Sequence, residues 1–519
     1  MDRRETDVLV IGSGLAGCAA ALTAARRGAR VVLLNKAAQA EESNTWHAQG
    51  GIIYRGVLDS PERLAADITA AGAGLCDPRA VELLSSEGPR LVKELLLDDV
   101  GVQFDRATDG QLDLTAEAAH SVPRIIHTED MTGRSIEEAI LAAVRREPNV
   151  TVLTGRVAID LLTLSHHSRQ PRDVYATPTC VGAYIFNIES RRVELHMAKE
   201  TILATGGIGR LYLHTTNPAG ACGDGVAMAY RAGARCINMQ FVQFHPTTLY
   251  HGSERFLISE SLRGEGARLI DAAGREFMLD YHADGSLAPR DIVARGIHQM
   301  MHETGARCAY LDVSHKPADW IRTRFPGIYA KCREVGIDIT SQPIPVVPAA
   351  HYSCGGIAVD DRGHSSLRRL RAVGEVACTG LHGANRLAST SLLECLVWGT
   401  RAGDDAARGC DAGAADYYSP EISPWEYEPE PVDPALVAQD WLTIRQTMWN
   451  YVGLVRTRKR LDRAQQILRE LHLEVGRFYA RSELSEGLIG LRHGIQAALV
   501  ILLAALEARE SRGCHYRAD

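Results

Sequence analysis

The sequence predicts an α/β fold. A Rossmann-like nucleotide-binding domain is interrupted by a second, inserted domain and followed by a C-terminal helical bundle. Three observations carry that prediction. A short apolar run, residues 8–11, meets Gly12-Ser13-Gly14-Leu15-Ala16-Gly17 and then an Ala-rich helical stretch to Arg27. Residues 241–350 change character, and a proline-bearing run, 343–348, leads out of them. Beyond a Pro/Glu-rich linker over 420–434, the chain reads as amphipathic helices to about residue 510.

The first unit is the most specific. Strand, glycine turn, helix and a second strand over 30–34 form the unit that grips a dinucleotide pyrophosphate. Gly12 permits the tight turn, Gly14 lets backbone approach phosphate, and Gly17 lets helix pack on strand. The helix N-terminus adds free N–H groups and a positive dipole end. The acidic residue that usually grips a ribose is replaced by Asn35-Lys36, which weakens a plain NAD reading. Lys36 reads equally as a nucleotide contact or as an exposed strand-end lysine. Residues 43–51 end in Gly50-Gly51 and suggest close backbone approach to a flat ligand.

Residues 61–97 read as helical. The polar stretch 114–127 carries Glu117, His120, Arg124 and His127, and reads either as a site or as a solvated loop. Strands are expected at 150–153 and 192–195, and another over 201–205 ends at Gly206-Gly207. Two phosphate-type strand ends in one chain suit a large two-part cofactor such as FAD. Residues 217–229 give a turn and a small-residue helix with Asp224 near its start. In the inserted region, proline before Arg290 suits a helix start. Val373-Gly374-Glu375 ends a strand of the first domain. Residues 379–399 then run through a Gly/Asn loop into an apolar helix with Ser389, Thr390 or Ser391 as N-cap.

A chain of 519 residues is too long for one core. The net charge of −7 gives no sign of nucleic acid or an anionic membrane as partner. The basic run 456–460 reads as a solvated helix face. Twelve cysteines are scattered without a C-x-x-C, so neither a metal site nor a redox dithiol is expected. No signal-peptide pattern precedes residue 7, and a reducing cytoplasm is the expected compartment. The longest apolar run, 497–506, falls short of the ~20 residues a bilayer needs and reads as a core helix.

Seven stretches, AQGG at Ala48, QFHPT at Gln243, RGEGA at Arg263, APRDIVAR at Ala288, HYSCGG at His351, GLHGANRLASTSLLE at Gly380 and YVGLVRTRKRL at Tyr451, stand in one order over nearly the whole chain. Together they resemble the aspartate-oxidising branch of the succinate dehydrogenase/fumarate reductase flavoprotein family. The resemblance implies an FAD-binding domain over 1–237 and 352–420. It also implies an α+β capping domain over 238–351, closing on a dicarboxylate at the flavin face, and a helical domain over 430–519. FAD contacts are implied for Gly12, Ser13, Gly14, Leu15, Ala16, Gly17, Lys36, Asn44, Thr45, Trp46, His47, Ala48, Gln49, Gly50, Gly51, Val157, Ala158, Asp224, Glu375, Ser391 and Leu392. Catalytic roles are implied for Arg290, His245, His351 and Glu117, and substrate contacts for Gln243, Ser259, Glu260, Arg386 and Ser389. In respiratory members a histidine two residues past Glu42 would bond the flavin covalently. Asn44 stands there, and an amide cannot form that bond, so FAD is expected to be non-covalent.

The implied reaction is oxidation of L-aspartate to iminoaspartate, with O2 (giving H2O2) or fumarate (giving succinate) as oxidant. In the family it feeds quinolinate and so NAD synthesis, which makes quinolinate synthase a candidate partner for a monomer or weak dimer. The nearest rival is a soluble fumarate reductase. A flavin-binding scaffold without turnover and an NAD-dependent dehydrogenase are further alternatives. The residues suit the chemistry. A buried diacid needs each carboxylate met by a cation or N–H donors. Arg290 and Arg386 offer paired N–H forks, and His245 and His351 add donors. A helix beginning near Ser389 would stabilise negative charge developing on the flavin. Glu117 facing the ammonium would favour aspartate over succinate. The family gives Arg290 a proton donor and acceptor role, yet guanidinium, with a pKa above ~12, is a poor base. The sequence leaves donor and electrostatic clamp both open.

Overall fold

The computed structural model describes residues 2–117, 119–252, 255–412, 420–423, 425 and 429–519. Residues 413–419, inside the expected FAD-binding domain, and residues 424 and 426–428 of the expected linker lie outside the described residues.

A parallel core organises the main sheet. Val150–Leu153, Val31–Leu34, Arg3–Ile11 and Arg192–Leu203 lie side by side in parallel, and Leu370–Ala372 also pairs parallel to Arg192–Leu203. Cys180–Asn187 and Arg156–Thr163 extend the sheet antiparallel. Helices cover the parallel strands, which explains the unbroken apolar run 8–11. Ile11 is in register with Leu34 and Leu203, and Leu203 with Ala372. The chain therefore leaves four strands at one level, at Gly12, Asn35, Ala204 and Val373. That carboxyl edge is where open α/β sheets bind ligands.

The glycines of the first turn are dictated by crowding. Gly12 has φ +114°, and a Cβ there would lie 2.1 Å from the Ala204 carbonyl oxygen. A Cβ at Gly17 would lie 1.9 Å from the Gly12 carbonyl oxygen. Helix Leu15–Arg26 packs on helix Thr390–Ala412 just as closely, since a Cβ at Gly403 would sit 2.3 Å from the Ala20 carbonyl oxygen.

Two expected elements change. The strands read at 192–195 and 201–205 are one strand, Arg192–Leu203. Its charged residues hid the continuity, and three of them are paired: Glu194 with Asn187 and His196, Lys199 with Asp7, Glu200 with Arg371. The helical stretch 61–97 is divided into Pro61–Ala71, Pro78–Leu91 and a π-helical segment Val92–Asp99. Ser60 and Asp77, each followed by proline, cap fresh starts. Pro89, which lacks an N–H, precedes the π segment.

A second, antiparallel sheet runs Val242–Leu249, Ile344–Ser353, Ala309–Asp312, Arg268–Ile270 and has its own apolar core with helix Arg290–Thr304. Gln243 faces Tyr352 across its first pair of strands. His245 and His351 thus come from adjacent strands, and Arg290 from the first position of the helix packed on them.

The C-terminal helices are Pro434–Tyr451, Arg458–Arg481 and Glu486–Glu507, N-capped by Asp433, Thr457 and Ser485. Glu486–Glu507 is long and apolar enough to cross a bilayer, but 72% of its apolar window is buried inside the protein. Arg456 departs from the solvated-face reading. It is fully buried, and its guanidinium donates to the carbonyls of Val452, Gly453 and Gln240.

Candidate active site and cofactor cleft

A continuous cavity of about 620 Å³ opens at the carboxyl edge of the main sheet and reaches the inserted sheet. The glycine turn, Lys36, residues 42–45 and 47–51, Val157, Ala158, Asp224, Glu375, Ser391 and Leu392 line it. So do Glu117, His245, Ser259, Glu260, Arg290, His351, Arg386 and Ser389. Three expected residues do not. Gly17 is pressed between helix and turn, Trp46 lies beneath the Arg134 guanidinium at 4.9 Å, and Gln243 stands behind the arginines.

The lining fits FAD. Asn44 Oδ1, Gln49 Oε1, Thr205 Oγ1 and Asp224 Oδ1 are buried without hydrogen-bond partners, and all four residues line the cavity. Each such atom costs about 1–3 kcal/mol unless a ligand satisfies it. Helix Leu15–Arg26 has no side-chain cap on its Gly14 end, although Thr45 Oγ1 accepts from the Leu15 N–H at 3.1 Å. The other amides of that turn suit a diphosphate. Lys36 is not an exposed lysine: its ammonium pairs with Asp224 at 2.6 Å. Burial works against the Asp224 charge, but Lys36 holds its carboxyl below the usual range.

Glu375 accepts from Asn44 Nδ2 at 2.8 Å and from the Ser353 N–H at 2.9 Å. Burial outweighs these bonds and pushes its pKa from 4.5 up to about 7. Between those values only the folded state keeps the proton, so stability falls as pH rises through the window. The cofactor-free protein should lose up to about 3 kcal/mol from this group between pH 4.5 and 7. Urea melts at pH 5 and 8 check this, and Glu375→Gln should flatten the difference.

The substrate end is built on one amide. Gln243 Oε1 accepts from Arg290 at 3.2 Å and from Arg386 at 3.4 Å. The amide nitrogen, Nε2, donates to Asn385 Oδ1 at 2.7 Å and to the Arg386 carbonyl at 2.9 Å. Two like charges meet at one buried oxygen. Arg290 is offset by its ion pair with Glu260, which also faces Arg263 at 3.4 Å. Arg386 makes no ion pair among the described residues. It donates to Ser391 Oγ at 2.6 Å and lies 4.4 Å over the Tyr352 ring. Burial, reinforced by Arg290, holds its pKa below the usual arginine value. An anion entering here would relieve both.

His245 and His351 meet edge to face at 5.2 Å. Burial pushes both well below the usual histidine range, with nearby guanidiniums adding to it. They are therefore neutral near pH 7. His245 Nδ1 sits against the Thr247 N–H at 3.2 Å, and its Nε2 is buried without a partner. His351 Nδ1 lies 2.8 Å from the Thr216 hydroxyl.

Glu117 is buried and accepts from the Ser389 hydroxyl at 2.8 Å. Burial, then the Glu260 charge, raises its pKa. Of the three N-cap candidates, Ser389 immediately precedes helix Thr390–Ala412. Ser389 has φ +58° and gives its hydroxyl to Glu117, Thr390 bonds the Leu387 carbonyl, and Ser391 accepts from Arg386. The other titratable groups of the 114–127 stretch hold the fold. Arg124 pairs with Asp59 and Asp67, His127 with Asp105, and His120 meets the Ala388 carbonyl.

Sequence reasoning missed two sets of residues. Arg263, seen only as part of RGEGA, is fully buried and bonded to the Ser286 carbonyl and Glu260. Trp441, Arg445, Glu486, Gly487 and Gly490 of the C-terminal helices, read as packing, line the cavity. Nothing in their local sequence signals a ligand.

Known proteins place the chain. An "FAD binding domain" family model matches residues 7–392, and "Fumarate reductase flavoprotein C-term" matches 442–519. The FrdA subunit of E. coli quinol fumarate reductase superposes with a TM-score of 0.88 at 27% identity, covering 100% of this chain and 92% of that one. The chain belongs to the succinate dehydrogenase/fumarate reductase family of FAD-binding flavoproteins. An L-aspartate oxidase of Yersinia pestis is 44% identical over 99% of this chain and 96% of its own length. One of Halobacterium salinarum is 45% identical over 100% and 97%. Within the family, the chain stands with the L-aspartate oxidases.

Proposed function

We propose that this enzyme oxidises L-aspartate to iminoaspartate with non-covalent FAD, and that O2 or fumarate then takes up the electrons. The supporting observation is the pair of guanidiniums joined at Gln243 Oε1 in a cavity that also holds the Glu117 carboxylate. Two cations suit two carboxylates, and one carboxylate suits the ammonium.

Arg386, the cation without an anionic partner, takes one substrate carboxylate. Arg290 and the unpartnered His245 Nε2 take the other, with His351 as a further donor. Bound FAD would supply the acceptor for the hydride leaving Cα. Glu117, its pKa raised by burial, receives the proton that the substrate nitrogen loses. Arg290 is ion-paired with Glu260, an arrangement that suits an electrostatic clamp better than a base. Fumarate, a diacid without an amine, fits the same two cations as an oxidant.

Iminoaspartate hydrolyses in water, so the reading includes a consuming partner such as quinolinate synthase in NAD biosynthesis. A cytoplasmic location is part of the same reading, supported by twelve free cysteines. Non-covalent FAD is supported by the engagement of the Asn44 amide with Glu375. Acid precipitation should release all the flavin into the supernatant; flavin left in the pellet would overturn this point. The activity is tested by adding L-aspartate anaerobically to the yellow holoenzyme. Bleaching is expected. Bleaching by dithionite alone, followed by reoxidation with fumarate, would identify a fumarate reductase instead.

A further inference from the structure

We infer that the C-terminal helices are part of the FAD site, closing the cleft at its adenosine end, so that cofactor retention depends on their docking. Trp441 and Arg445 on Pro434–Tyr451, and Gly490 on Glu486–Glu507, line the same cavity as the glycine turn and Lys36.

The end they occupy follows from the fold. In a β-turn-α-β nucleotide unit the tip of the second strand lies beside the adenosine ribose. Here that tip is Asn35-Lys36. The Lys36 stem packs on Gly220, whose Cβ would lie 2.9 Å from Lys36 Cε, and the Glu486 carboxylate is near enough to act on its ammonium. Arg445 is held in place: Nε donates to the Arg210 carbonyl at 3.3 Å, and its guanidinium lies 5.3 Å from the Trp441 ring centroid.

The last helix is bolted to the same end. Arg492 and Arg231 grip Asp160 at 2.6 and 2.7 Å. The His493 ring lies 3.0 Å from the carbonyl of Ala158, a residue that itself lines the cleft. An indole, a guanidinium and a bare glycine surface suit a flat base carried on a diphosphate. Whatever binds across this seam stabilises the docked helices by linkage.

The test uses the full chain stripped of flavin. FAD affinity is measured by flavin fluorescence for Trp441→Ala, Arg445→Ala, Trp441→Phe and Leu442→Ala. Leu442, on the same helix, is 40% exposed and absent from the cavity lining. Each of the first two changes should raise Kd about tenfold, the scale of one lost ring or cation contact. Trp441→Phe should recover most of the affinity, and Leu442→Ala should keep both Kd and kcat within twofold of the parent. FAD should also slow hydrogen exchange in Pro434–Tyr451 of the parent protein. The inference is overturned if Kd is unchanged in both alanine variants, if Leu442→Ala weakens FAD equally, or if FAD leaves exchange in that helix unaltered.

Discussion

Arg386→Leu should lower kcat/KM for L-aspartate by roughly 10³-fold while FAD remains bound. The reason is charge accounting. Arg290 already has Glu260, whereas the groups that Arg386 bonds or stacks on, Gln243, Ser391 and the Tyr352 ring, are neutral. A substrate carboxylate is thus its natural counter-ion. Removing one partner of a buried ion pair costs about 3–5 kcal/mol, and ~4 kcal/mol corresponds to 10³ in rate. Because Arg386 makes no ion pair with a carboxylate among the described residues, leucine strands no buried negative charge there, and the fold should survive. Steady-state kinetics with a flavin absorbance check reads this directly. A loss below tenfold with flavin in place would remove Arg386 from substrate binding.

Glu117→Gln should cost about 10²-fold in the preference for aspartate over succinate and leave fumarate reduction nearly intact. At the substrate end Glu260 is paired with Arg290, whereas Glu117 is held by the neutral Ser389 hydroxyl. A substrate ammonium would draw it back to its charged form against the burial that raises its pKa. A hydrogen bond between charged groups contributes about 1.5–3 kcal/mol, which is ten- to over a hundredfold in the ratio. Succinate has nothing to offer this carboxylate. An unchanged ratio of kcat/KM values in Glu117→Gln would show that discrimination arises elsewhere.

The first nucleotide unit was legible because its signals are local. Turn glycines, apolar strand and small-residue helix are contiguous, and one edge of the sheet collects their ends. Arg290 and His245 were recognisable only through surrounding motifs, since an arginine or histidine alone looks the same on a surface. The bridging role of Gln243 was hidden. It depends on a strand, a loop and a helix start brought together from positions 243, 386 and 290. Arg456 departs from the solvated-face reading for a related reason: four backbone and ring acceptors lie around it in three dimensions, while its sequence neighbours are mostly basic. The C-terminal lining of the cleft was invisible because helices that pack and helices that also touch a cofactor share one apolar pattern.

The central claim is that Arg290 and Arg386, joined through Gln243, form a cradle for a diacid. The most direct measurement is a titration of the oxidised holoenzyme, following the flavin spectrum, with succinate and with butyrate. Both have four carbons, and only one has two carboxylates. Succinate should bind at least about 100-fold more tightly, the worth of a second carboxylate–guanidinium contact, and Arg386→Leu should erase most of the difference. Equal affinities for the two acids in the parent enzyme would contradict the account.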